Sequence, residues 1–252
     1  MLSILTYNIW FSDVLINERL FELIKLINNL KPDIICLQEV RPDVLAVLVN
    51  KLKNYPNFET DLNQLSNYGL AIFSRFKILD YKINYYNNTK MDRGYIYIKI
   101  TKDNNDVNIV TTHLESYFTR KLKNMPNEKY YEKVIQSTKH SQFCDLFSNF
   151  TEFNDIFLCG DMNISSIEDK FYSIEDNWND CWIIDGKDKN KRYTYDFKNN
   201  IYINNKTKLK SRLDRIYFKS DKYILNNFEL VGNYDGIIPS DHFGIYCSFI
   251  KN

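Results

Sequence analysis

The sequence predicts an α/β or α+β protein in which two β-sheets pack face to face. Short apolar runs without charge, such as residues 156–160, are typical of buried strands. Near the N-terminus these runs alternate with helical patterns, whereas the middle of the chain holds short alternating runs. No proline-rich, serine-rich or charge-rich linker divides the 252 residues, so we expect a single domain over 1–252.

The N-terminal segment is predicted to form a strand, a helix, a second strand and a second helix. The first strand covers 2–9, and Asn17 is expected to cap the helix that Pro32 ends. An apolar run over 33–37 forms the next strand, and Pro42 suits the first turn of the following helix. Because a helix connects two buried runs, these strands are expected to be neighbours with their polar ends at one edge.

Antiparallel sheet is predicted for the middle of the chain, where alternating runs are separated by turn residues. Residues 102–106 are rich in Asp and Asn and are expected to form the turn of a hairpin. The predicted strands cover 68–73, 78–83, 95–100 and 107–110.

The C-terminal half is predicted to contain one long helix, over about 130–150, followed mainly by strands. A strand begins at Ile156, and the later strands cover 193–195, 212–218, 224–231 and 243–250.

Polar side chains at the ends of apolar runs are the main functional signal in the sequence. Asp161 and Asn163 follow one such run, and side chains two apart in an extended segment point to the same side. Asn8, Glu39 and His113 end three other runs in the same way. We expect these strand ends to converge on one metal-dependent phosphodiesterase site.

The side chains of this set favour a hard metal ion. A carboxylate at the end of a buried strand, such as Glu39, is costly unless it meets a cation or hydrogen-bond donors. The collected side chains carry oxygen and include no Cys/His cluster, so Mg²⁺ is expected, with Mn²⁺ as a substitute; they are Asn8, Glu39, Asp161, Asn163 and Asp241. A structural salt bridge is the more common explanation for Glu39 alone, and the other strand ends weaken it.

Cleavage of a phosphodiester needs an activated water, stabilisation of charge on the phosphoryl oxygens and help for the leaving oxygen. We expect Asp161 to orient and deprotonate water, and Asn163 to hold that water or a phosphoryl oxygen. His113 and His242, two of the three histidines, are expected to donate hydrogen bonds to the developing charge. Asp214 is the candidate to fix the tautomer of His242.

The charge of the chain gives no strong overall attraction to polyanions, because the formal net charge is +1 and the pI is about 7.5. Only local basic stretches, at 187–192 and 206–212, are candidates to contact nucleic acid. Solvated loops are an equally good explanation for both.

Cysteine spacing and hydropathy indicate a soluble, intracellular protein without membrane contact. The five cysteines are far apart and form no C-x-x-C pair, so buried reduced thiols are expected. No apolar run approaches the roughly 20 residues that a membrane span needs.

Four short motifs are spread over nearly the whole chain. They are Thr6-Tyr7-Asn8, Leu37-Gln38-Glu39, Gly160-Asp161-Met162-Asn163 and Ser240-Asp241-His242. In this order they resemble the signatures of the endonuclease/exonuclease/phosphatase superfamily. The resemblance implies a four-layer, DNase I-like sandwich of two mixed sheets flanked by helices. It also implies one Mg²⁺ on Glu39, supported by Asn8 and Asp241.

Longer segments resemble, within that superfamily, the 5′-tyrosyl-DNA phosphodiesterases. They are the stretches at 89–91, 112–116, 193–196, 212–218 and 239–244. The resemblance implies hydrolysis of the bond between a DNA 5′-phosphate and a tyrosine of a trapped topoisomerase, with tyrosine-linked RNA as a further substrate. The protein is expected to act in DNA repair as a monomer, with substrate contacts by Tyr68, Ser116, Tyr195 and Arg212.

Two positions depart from the pattern of that family. Its members have Leu-Arg-Asp after the Gly-Asp-x-Asn motif and Trp in Tyr-Thr-Trp-Asp, whereas this chain has Ser165 and Tyr195 there. The family's Arg and Trp lie near the tyrosyl group, so their replacement bears on recognition rather than on hydrolysis. Tyr195 keeps an aromatic face, and Arg212 or a nearby lysine is expected to supply the missing cation.

Two alternative functions stay open at this level. One is another superfamily activity, such as an abasic-site endonuclease or exonuclease, a deadenylase, or a phosphoinositide or sphingomyelin phosphodiesterase. The other is a non-catalytic domain that binds nucleic acid or acts as a scaffold, which Mg²⁺-dependent turnover of any phosphodiester would exclude.

Overall fold

Two six-stranded mixed sheets pack face to face, and helices cover their outer faces. The computed structural model describes residues 1–63, 66–116, 128–175, 177–203 and 208–252, with the backbone alone for 128–132. The helices are α1 Ile16–Leu30, α2 Pro42–Lys51, α3 Glu128–Ser148 and α4 Cys181–Ile184, with 3₁₀ turns at Asp169–Phe171 and Lys189–Lys191. The strands are β1 Leu2–Asn8, β2 Ile34–Val40, β3 Asn57–Thr60, β4 Gly69–Ser74, β5 Ile78–Tyr85, β6 Gly94–Lys102, β7 Asn105–His113, β8 Ile156–Asp161, β9 Asn179–Asp180, β10 Tyr195–Asp196, β11 Lys210–Ser211, β12 Asp214–Lys219, β13 Tyr223–Val231 and β14 Gly244–Lys251.

Three apolar layers hold the sheets and helices together. The first sheet has the order β13-β14-β1-β2-β4-β3, the second has the order β5-β6-β7-β8-β12-β9, and β10 pairs with β11 separately. Buried side chains such as Ile98 and Phe157 fill the space between the two large sheets. Leu23 of α1 and Leu48 of α2 pack on the first sheet, and Phe147 of α3 packs on the second. This arrangement confirms the predicted four-layer sandwich.

Each large sheet contains one parallel pair of strands. β1 pairs with β2 across α1, and β7 pairs with β8 across the segment that contains α3, because parallel neighbours need a long crossover. In the second sheet His113 lies opposite Asp161, and Asp161 lies opposite Asp214 of antiparallel β12. Strand register alone therefore brings three of the predicted site residues side by side.

Gly160 allows β7 and β8 to approach each other directly before Asp161. Its φ is +138°, a conformation that residues with a Cβ rarely adopt, and a Cβ there would lie 2.0 Å from the carbonyl oxygen of Thr112. Only glycine fits at this position, so the glycine of the Gly-Asp-x-Asn motif sets the spacing of β7 and β8 directly before Asp161.

Glu39 interrupts the regular ladder of β2. The pairing with β4 shifts between Leu37 and Val40, and Glu39 has φ of 59°. A bulge of this kind turns a side chain away from the position that regular alternation would give it. The sequence predicted Glu39 at a strand end but gave no indication of the bulge.

The boundaries of several elements differ from the predictions. Asn17 does not cap α1, because the residue preceding the helix is Leu15, in the left-handed conformation with φ of 47°. Lys31, also left-handed, closes the helix, and Pro42 occupies the first turn of α2 as predicted. The short elements β3, β9, β11 and α4 were not predicted, since four residues or fewer carry little periodicity.

In the described part of the chain, the helices fall short of the length and apolarity that membrane crossing requires.

Candidate active site

Asp161 lies at the centre of the predicted site and is 1% exposed. Its Oδ2 accepts a hydrogen bond of 2.9 Å from Asn8 Nδ2 of the other sheet and lies 3.4 Å from His113 Nε2. Its Oδ1 accepts the backbone N–H of Asn163 at 2.8 Å. Burial would raise the pKa of Asp161, but the hydrogen bond from His113, the charge of His242 and the hydrogen bond from Asn8 hold it well below its usual range.

Arg93 determines which ring nitrogen of His113 carries a proton. Arg93 Nη1 lies 2.7 Å from His113 Nδ1, and both side chains are buried. A guanidinium can only donate, so Nδ1 must accept and the proton of a neutral ring lies on Nε2, which faces Asp161. No salt bridge joins Arg93 to a carboxylate among the described residues, and its guanidinium also lies 4.0 Å from Met91 Sδ and 5.6 Å from the ring centre of Tyr68.

His242 is held between two carboxylates. Its Nδ1 lies 2.8 Å from Asp214 Oδ2, and its Nε2 lies 3.9 Å from Asp161 Oδ2. Burial would lower the pKa of His242, but the charge of Asp214, its hydrogen bond and the charge of Asp161 raise it well above the usual value. The contact between Asp214 and His242 is the one that the sequence predicted. At 3.9 Å, His242 Nε2 and Asp161 are too far apart for a direct hydrogen bond, so both can engage a third group.

Glu39 and Asp241 form a pair of neighbouring carboxylates beside this cluster. Burial and the charge of Glu39 raise the pKa of Asp241 to about 6, against the lowering effect of His242. Two carboxylates that repel each other in a partly desolvated place favour a cation, and their oxygen atoms suit a hard divalent ion. Asn8 adds an amide oxygen, which accepts the N–H of Trp10 at 3.0 Å. The three predicted metal ligands therefore fit a metal ion chemically.

A second group of ligand atoms lies nearby. One ligand atom each from Asp161, Asp214 and His242 lies within 4.8 Å of the others. His242 Nδ1 and Asp214 Oδ2 already form a hydrogen bond of 2.8 Å, and a metal ion would have to replace it. The hydrogen bond between His242 and Asp214 satisfies this group without an ion, so Glu39, Asp241 and Asn8 stay the predicted metal ligands.

The side chain of Asn163 stabilises the loop after β8 by a hydrogen bond. Asn163 has φ of 51°, and its Nδ2 donates to the carbonyl oxygen of Leu114 at 3.0 Å. Buried Lys139 of α3 donates to the Asn163 carbonyl oxygen at 2.6 Å and pairs with Glu168 Oε1 at 2.8 Å. Glu168 Oε2 in turn accepts the N–H of Ser165 at 2.9 Å. A buried lysine thus lies behind the loop in which the family's arginine is replaced by Ser165.

Tyr195 and Tyr68, two of the predicted substrate-binding residues, lie beside the polar cluster around Asp161 and Glu39. The ring of Tyr195 meets the ring of His242 edge to face at 5.2 Å. Burial and the charges of Asp241 and Glu39 raise the pKa of Tyr195 to about 12. Tyr68 stacks on Phe11 at 4.6 Å, and the backbone N–H of Phe11 donates to Glu39 Oε2 at 3.2 Å. Ser116 donates a hydrogen bond of 3.4 Å to Met91 Sδ.

Arg212 does not provide the free cation that the sequence predicted near Tyr195. Its Nη1 donates to both oxygens of Asp180, at 2.7 and 2.6 Å, and its guanidinium packs over the ring of Trp182 at 4.8 Å. Lys210, the lysine of the adjacent strand, pairs with Asp196 at 2.8 Å. The expected compensation by Arg212 is therefore wrong, because a buried carboxylate already holds that guanidinium.

Sequence reasoning missed two residues that organise the site. Arg93 gave no signal, because its partner His113 is 20 positions away and is matched to it only by the pairing of β6 with β7. Glu115, 2% exposed, accepts hydrogen bonds from Thr89 Oγ1 at 3.1 Å and from Lys90 N at 3.2 Å. These contacts join the stretches at 89–91 and 112–116, which carried the resemblance separately.

The fold and the site define a class of protein. The chain belongs to the Endonuclease/Exonuclease/phosphatase family, whose profile matches residues 5–242. Among curated relatives, tyrosyl-DNA phosphodiesterase 2 of Rattus norvegicus is 31% identical over 86% of this chain and 58% of its own length. The same enzyme of Gallus gallus is 27% identical over 98% of this chain and 66% of its own length. The chain thus spans between about 58% and 66% of these relatives.

A solved structure agrees closely with the fold. The structure of tyrosyl-DNA phosphodiesterase 2 from Danio rerio, complexed with a single-strand DNA product, has a TM-score of 0.85 at 25% identity. It covers 98% of both chains. The similarity confirms the DNase I-like architecture that the sequence predicted.

Proposed function

We propose that this protein is a divalent-metal-dependent phosphodiesterase that hydrolyses the 5′-phosphotyrosyl bond between DNA and a protein, leaving a 5′-phosphate. One observation carries the proposal: a buried carboxylate, Asp161, is surrounded by Asn8 from one sheet, His113 from the other and His242 from the loop before β14. The similarity to tyrosyl-DNA phosphodiesterases over most of the chain supports the substrate.

Asp161 is assigned to the attacking water. Water adds to phosphorus while the bond to the tyrosine oxygen breaks, and the leaving oxygen takes up a proton. Because the pKa of Asp161 is lowered, the carboxylate stays ionised and can accept a hydrogen bond from water. A weak base orients water better than it deprotonates it, so orientation is its main contribution.

His113 and His242 are assigned to the phosphoryl oxygens. Arg93 leaves the proton of His113 on Nε2, and Asp214 engages Nδ1 of His242, so both rings direct Nε2 towards Asp161. Two preorganised donors at one point stabilise the charge that develops in the transition state. The buried positive charge of Arg93 adds to this effect.

Glu39 and Asp241, with Asn8, are assigned to hold the divalent ion, for which Mg²⁺ is preferred over Mn²⁺. When bound, such an ion supplies Lewis-acid stabilisation of the phosphoryl and leaving oxygens. Tyr68, Ser116 and Tyr195 are assigned to the substrate. Asn163 is assigned to a structural role, because its Nδ2 donates to the carbonyl oxygen of Leu114.

The proposal includes the setting of the reaction. We place the protein inside the cell as a monomer that acts in DNA repair, with tyrosine-linked RNA as a second substrate.

A panel of oligonucleotides tests the proposed function. The protein is incubated with Mg²⁺ and one of three substrates: a single strand with a 5′-phosphotyrosine, a single strand with a 3′-phosphotyrosine, or a duplex with an abasic site. Release of tyrosine and a 5′-phosphate from the first substrate alone, abolished by EDTA, is the expected result. Preferential cleavage of the abasic duplex would replace the proposal with an endonuclease, and no turnover of any substrate would favour a binding domain.

A further inference from the structure

Arg19 is a buried cation in the first turn of α1, with only 1% of its surface exposed. Its guanidinium has five N–H donors, and all five bond to backbone carbonyl oxygens. The distances lie between 2.5 and 3.1 Å, and the acceptors are Ile9, Trp10, Ser12, Val14 and Pro239. Arg19 therefore joins the loop after β1 to the segment that precedes β14.

Backbone carbonyls alone are an unusual set of partners for a buried cation, which is normally paired with a carboxylate. Lys210, in the basic stretch at 206–212, follows the usual pattern and pairs with Asp196 at 2.8 Å; 206 and 207 lie outside the described residues. No salt bridge joins Arg19 to a carboxylate in the part of the chain that the structure describes. The cost of burying this guanidinium is thus offset by the backbone that it holds.

One peptide group of the loop links Arg19 to Asn8, a predicted metal ligand. The Ile9 carbonyl oxygen accepts from Arg19 Nη2 at 2.7 Å. The Trp10 N–H of the same peptide donates to Asn8 Oδ1 at 3.0 Å. A trans peptide is planar, and its C=O and N–H point in opposite directions. A guanidinium that fixes the carbonyl therefore also fixes the N–H that orients the Asn8 amide.

The next peptide group makes the same connection to Glu39. The Trp10 carbonyl oxygen accepts from Arg19 Nη2 at 2.5 Å, and the Phe11 N–H of that peptide donates to Glu39 Oε2 at 3.2 Å. Trp10 has φ of 58°, a strained conformation that persists only where its surroundings enforce it. The Arg19 guanidinium lies 4.5 Å from the centre of the Trp10 ring. Arg19 thus supports this turn through both the backbone and the side chain.

The remaining hydrogen bond reaches the segment of the third predicted ligand. Arg19 Nε donates to the carbonyl oxygen of Pro239, two residues before Asp241, at 3.1 Å. Between them, Ser240 Oγ donates to Asp241 Oδ1 at 3.3 Å, and the Ser240 carbonyl oxygen accepts from Asn200 Nδ2 at 3.0 Å. Arg19 and Asn200 therefore hold the backbone before Asp241 at adjacent residues.

We propose that Arg19 is a positioning residue for the divalent ion, which holds Asn8, Glu39 and Asp241 in the arrangement that binds the metal. This inference rests on the proposed function, since that function assigns these three side chains to the ion. Outer groups that orient metal ligands raise affinity, because the ligands are already ordered when the ion arrives.

The positive charge of Arg19 would by itself oppose metal binding. Burial lowers the pKa of Arg19, and the charges of Asp241 and Glu39 act against that shift. A guanidinium that attracts these carboxylates competes with a metal ion for them. Removal of the charge alone should strengthen Mg²⁺ binding, whereas loosening of the loop should weaken it. The sign of the change in affinity therefore separates the two effects.

The affinity for Mg²⁺ tests the proposal in the full chain. Isothermal titration calorimetry without substrate gives Kd for the ion, and circular dichroism checks the fold. Arg19→Lys keeps the charge but offers three donors in place of a planar fork of five. Its Kd for Mg²⁺ is expected to be about tenfold higher or more. Arg19→Met should also bind Mg²⁺ more weakly, although it removes a competing charge.

Lys219→Met is the matched control. Lys219 is also a buried cation that donates to backbone carbonyl oxygens, those of Phe150 and Thr151, at 3.2 and 2.6 Å. It lies at the end of β12 opposite to Asp214. Its replacement should lower Tm but leave Kd for Mg²⁺ at the wild-type value.

Steady-state rates with a 5′-phosphotyrosyl oligonucleotide give a second measurement. The Mg²⁺ concentration at half-maximal rate should rise in the Arg19 variants by the same factor as Kd. Saturating Mg²⁺ should restore most of kcat with little change in KM. A general loss of folded protein would instead lower kcat at every Mg²⁺ concentration.

The calorimetric values decide the inference. A wild-type Kd in folded Arg19→Lys, tighter binding by Arg19→Met, or an equal loss of affinity in Lys219→Met overturns it, as does a wild type that binds no Mg²⁺. If Arg19→Met does not fold, the comparison of Arg19→Lys with Lys219→Met decides. If no phosphodiester is cleaved, the proposed function fails, and weaker Mg²⁺ binding by the Arg19 variants alone still supports the positioning role.

Discussion

At the scale of single residues, the contact between Asp214 and His242 fixes the orientation of an imidazole that the proposed mechanism assigns to a phosphoryl oxygen. Asp214 is fully buried, and its Oδ2 lies 2.8 Å from His242 Nδ1. Because the carboxylate engages Nδ1, it is Nε2 of His242 that faces Asp161.

Asp214→Asn is expected to lower kcat by about 10²- to 10⁴-fold with little change in KM, because an amide can favour the wrong tautomer of the imidazole. Steady-state rates and circular dichroism are the measurements. Asp155→Asn is the matched control, since Asp155 is equally buried but pairs with Lys222 and Ser220 away from the site. A kcat for Asp214→Asn equal to that of the control would remove Asp214 from the mechanism.

If Glu39 and Asp241 hold the metal ion as proposed, the stability of the protein should depend on that ion. Because burial and Glu39 raise the pKa of Asp241 to about 6, ionisation of Asp241 destabilises the metal-free protein at pH 7. Addition of Mg²⁺ should raise Tm of the wild type, and Asp241→Asn should abolish that rise.

Without metal, Asp241→Asn should itself be more stable than the wild type at pH 7 by about 2 kcal/mol, since it removes a buried charge and its repulsion from Glu39. Differential scanning fluorimetry with EDTA or Mg²⁺ measures both effects. An unchanged response of Asp241→Asn to Mg²⁺ would move the metal away from this pair.

At the scale of elements, the close approach of β7 and β8 depends on Gly160. Gly160→Ala should destabilise the fold by about 3 kcal/mol or more, because the new Cβ would lie 2.0 Å from the Thr112 carbonyl oxygen in addition to the strain at positive φ. Urea denaturation gives the free energy of unfolding.

Gly186→Ala separates the two contributions. Gly186 also has a positive φ, of 86°, but a Cβ there would meet no atom within 4 Å. It should cost only the backbone strain, about 1 kcal/mol. Similar losses at both glycines would mean that β7 and β8 can move apart.

Directly after β3, Asp61 carries a carboxylate whose titration can be followed in the stability of the protein. Asp61 Oδ1 accepts the N–H of Leu70 at 2.6 Å, and burial raises the pKa of Asp61 from 3.8 to about 6. The folded state therefore binds the proton more tightly than the unfolded state, and stability falls as pH rises between these two values.

Asp61→Asn keeps an oxygen for the Leu70 hydrogen bond and removes the charge. At pH 7 it should raise the free energy of unfolding by about 2 kcal/mol, and at pH 3.5 it should have little effect. Denaturation curves at the two pH values make the comparison, and a larger stabilisation at pH 3.5 would reverse the assigned direction of the pKa shift.

At the scale of the whole molecule, the sequence predicted what depends on periodicity and on local motifs. The two-sheet sandwich, the strand ends at Asn8, His113 and Asp161, and the pairing of Asp214 with His242 agree with the structure. These features follow from buried runs that end in polar residues and from motifs that the family shares.

The sequence could not predict contacts that depend on tertiary packing. Arg93 meets His113 only because β6 and β7 pair in register, and Lys139 reaches the loop after β8 from α3. The error on Arg212 has the same origin, because its partner Asp180 lies on the edge strand β9, which has only two residues. Charge in the sequence shows that a cation exists but not which carboxylate holds it.

The proposed function requires that Asp161, a buried carboxylate surrounded by groups from both sheets, directs water at a phosphotyrosyl bond. The most direct measurement is the single-turnover rate of tyrosine release from a 5′-phosphotyrosyl oligonucleotide with Mg²⁺, for the wild type and for Asp161→Asn. The account predicts release by the wild type and a rate at least about 10³-fold lower for the folded variant. A variant that releases tyrosine at nearly the wild-type rate would contradict it.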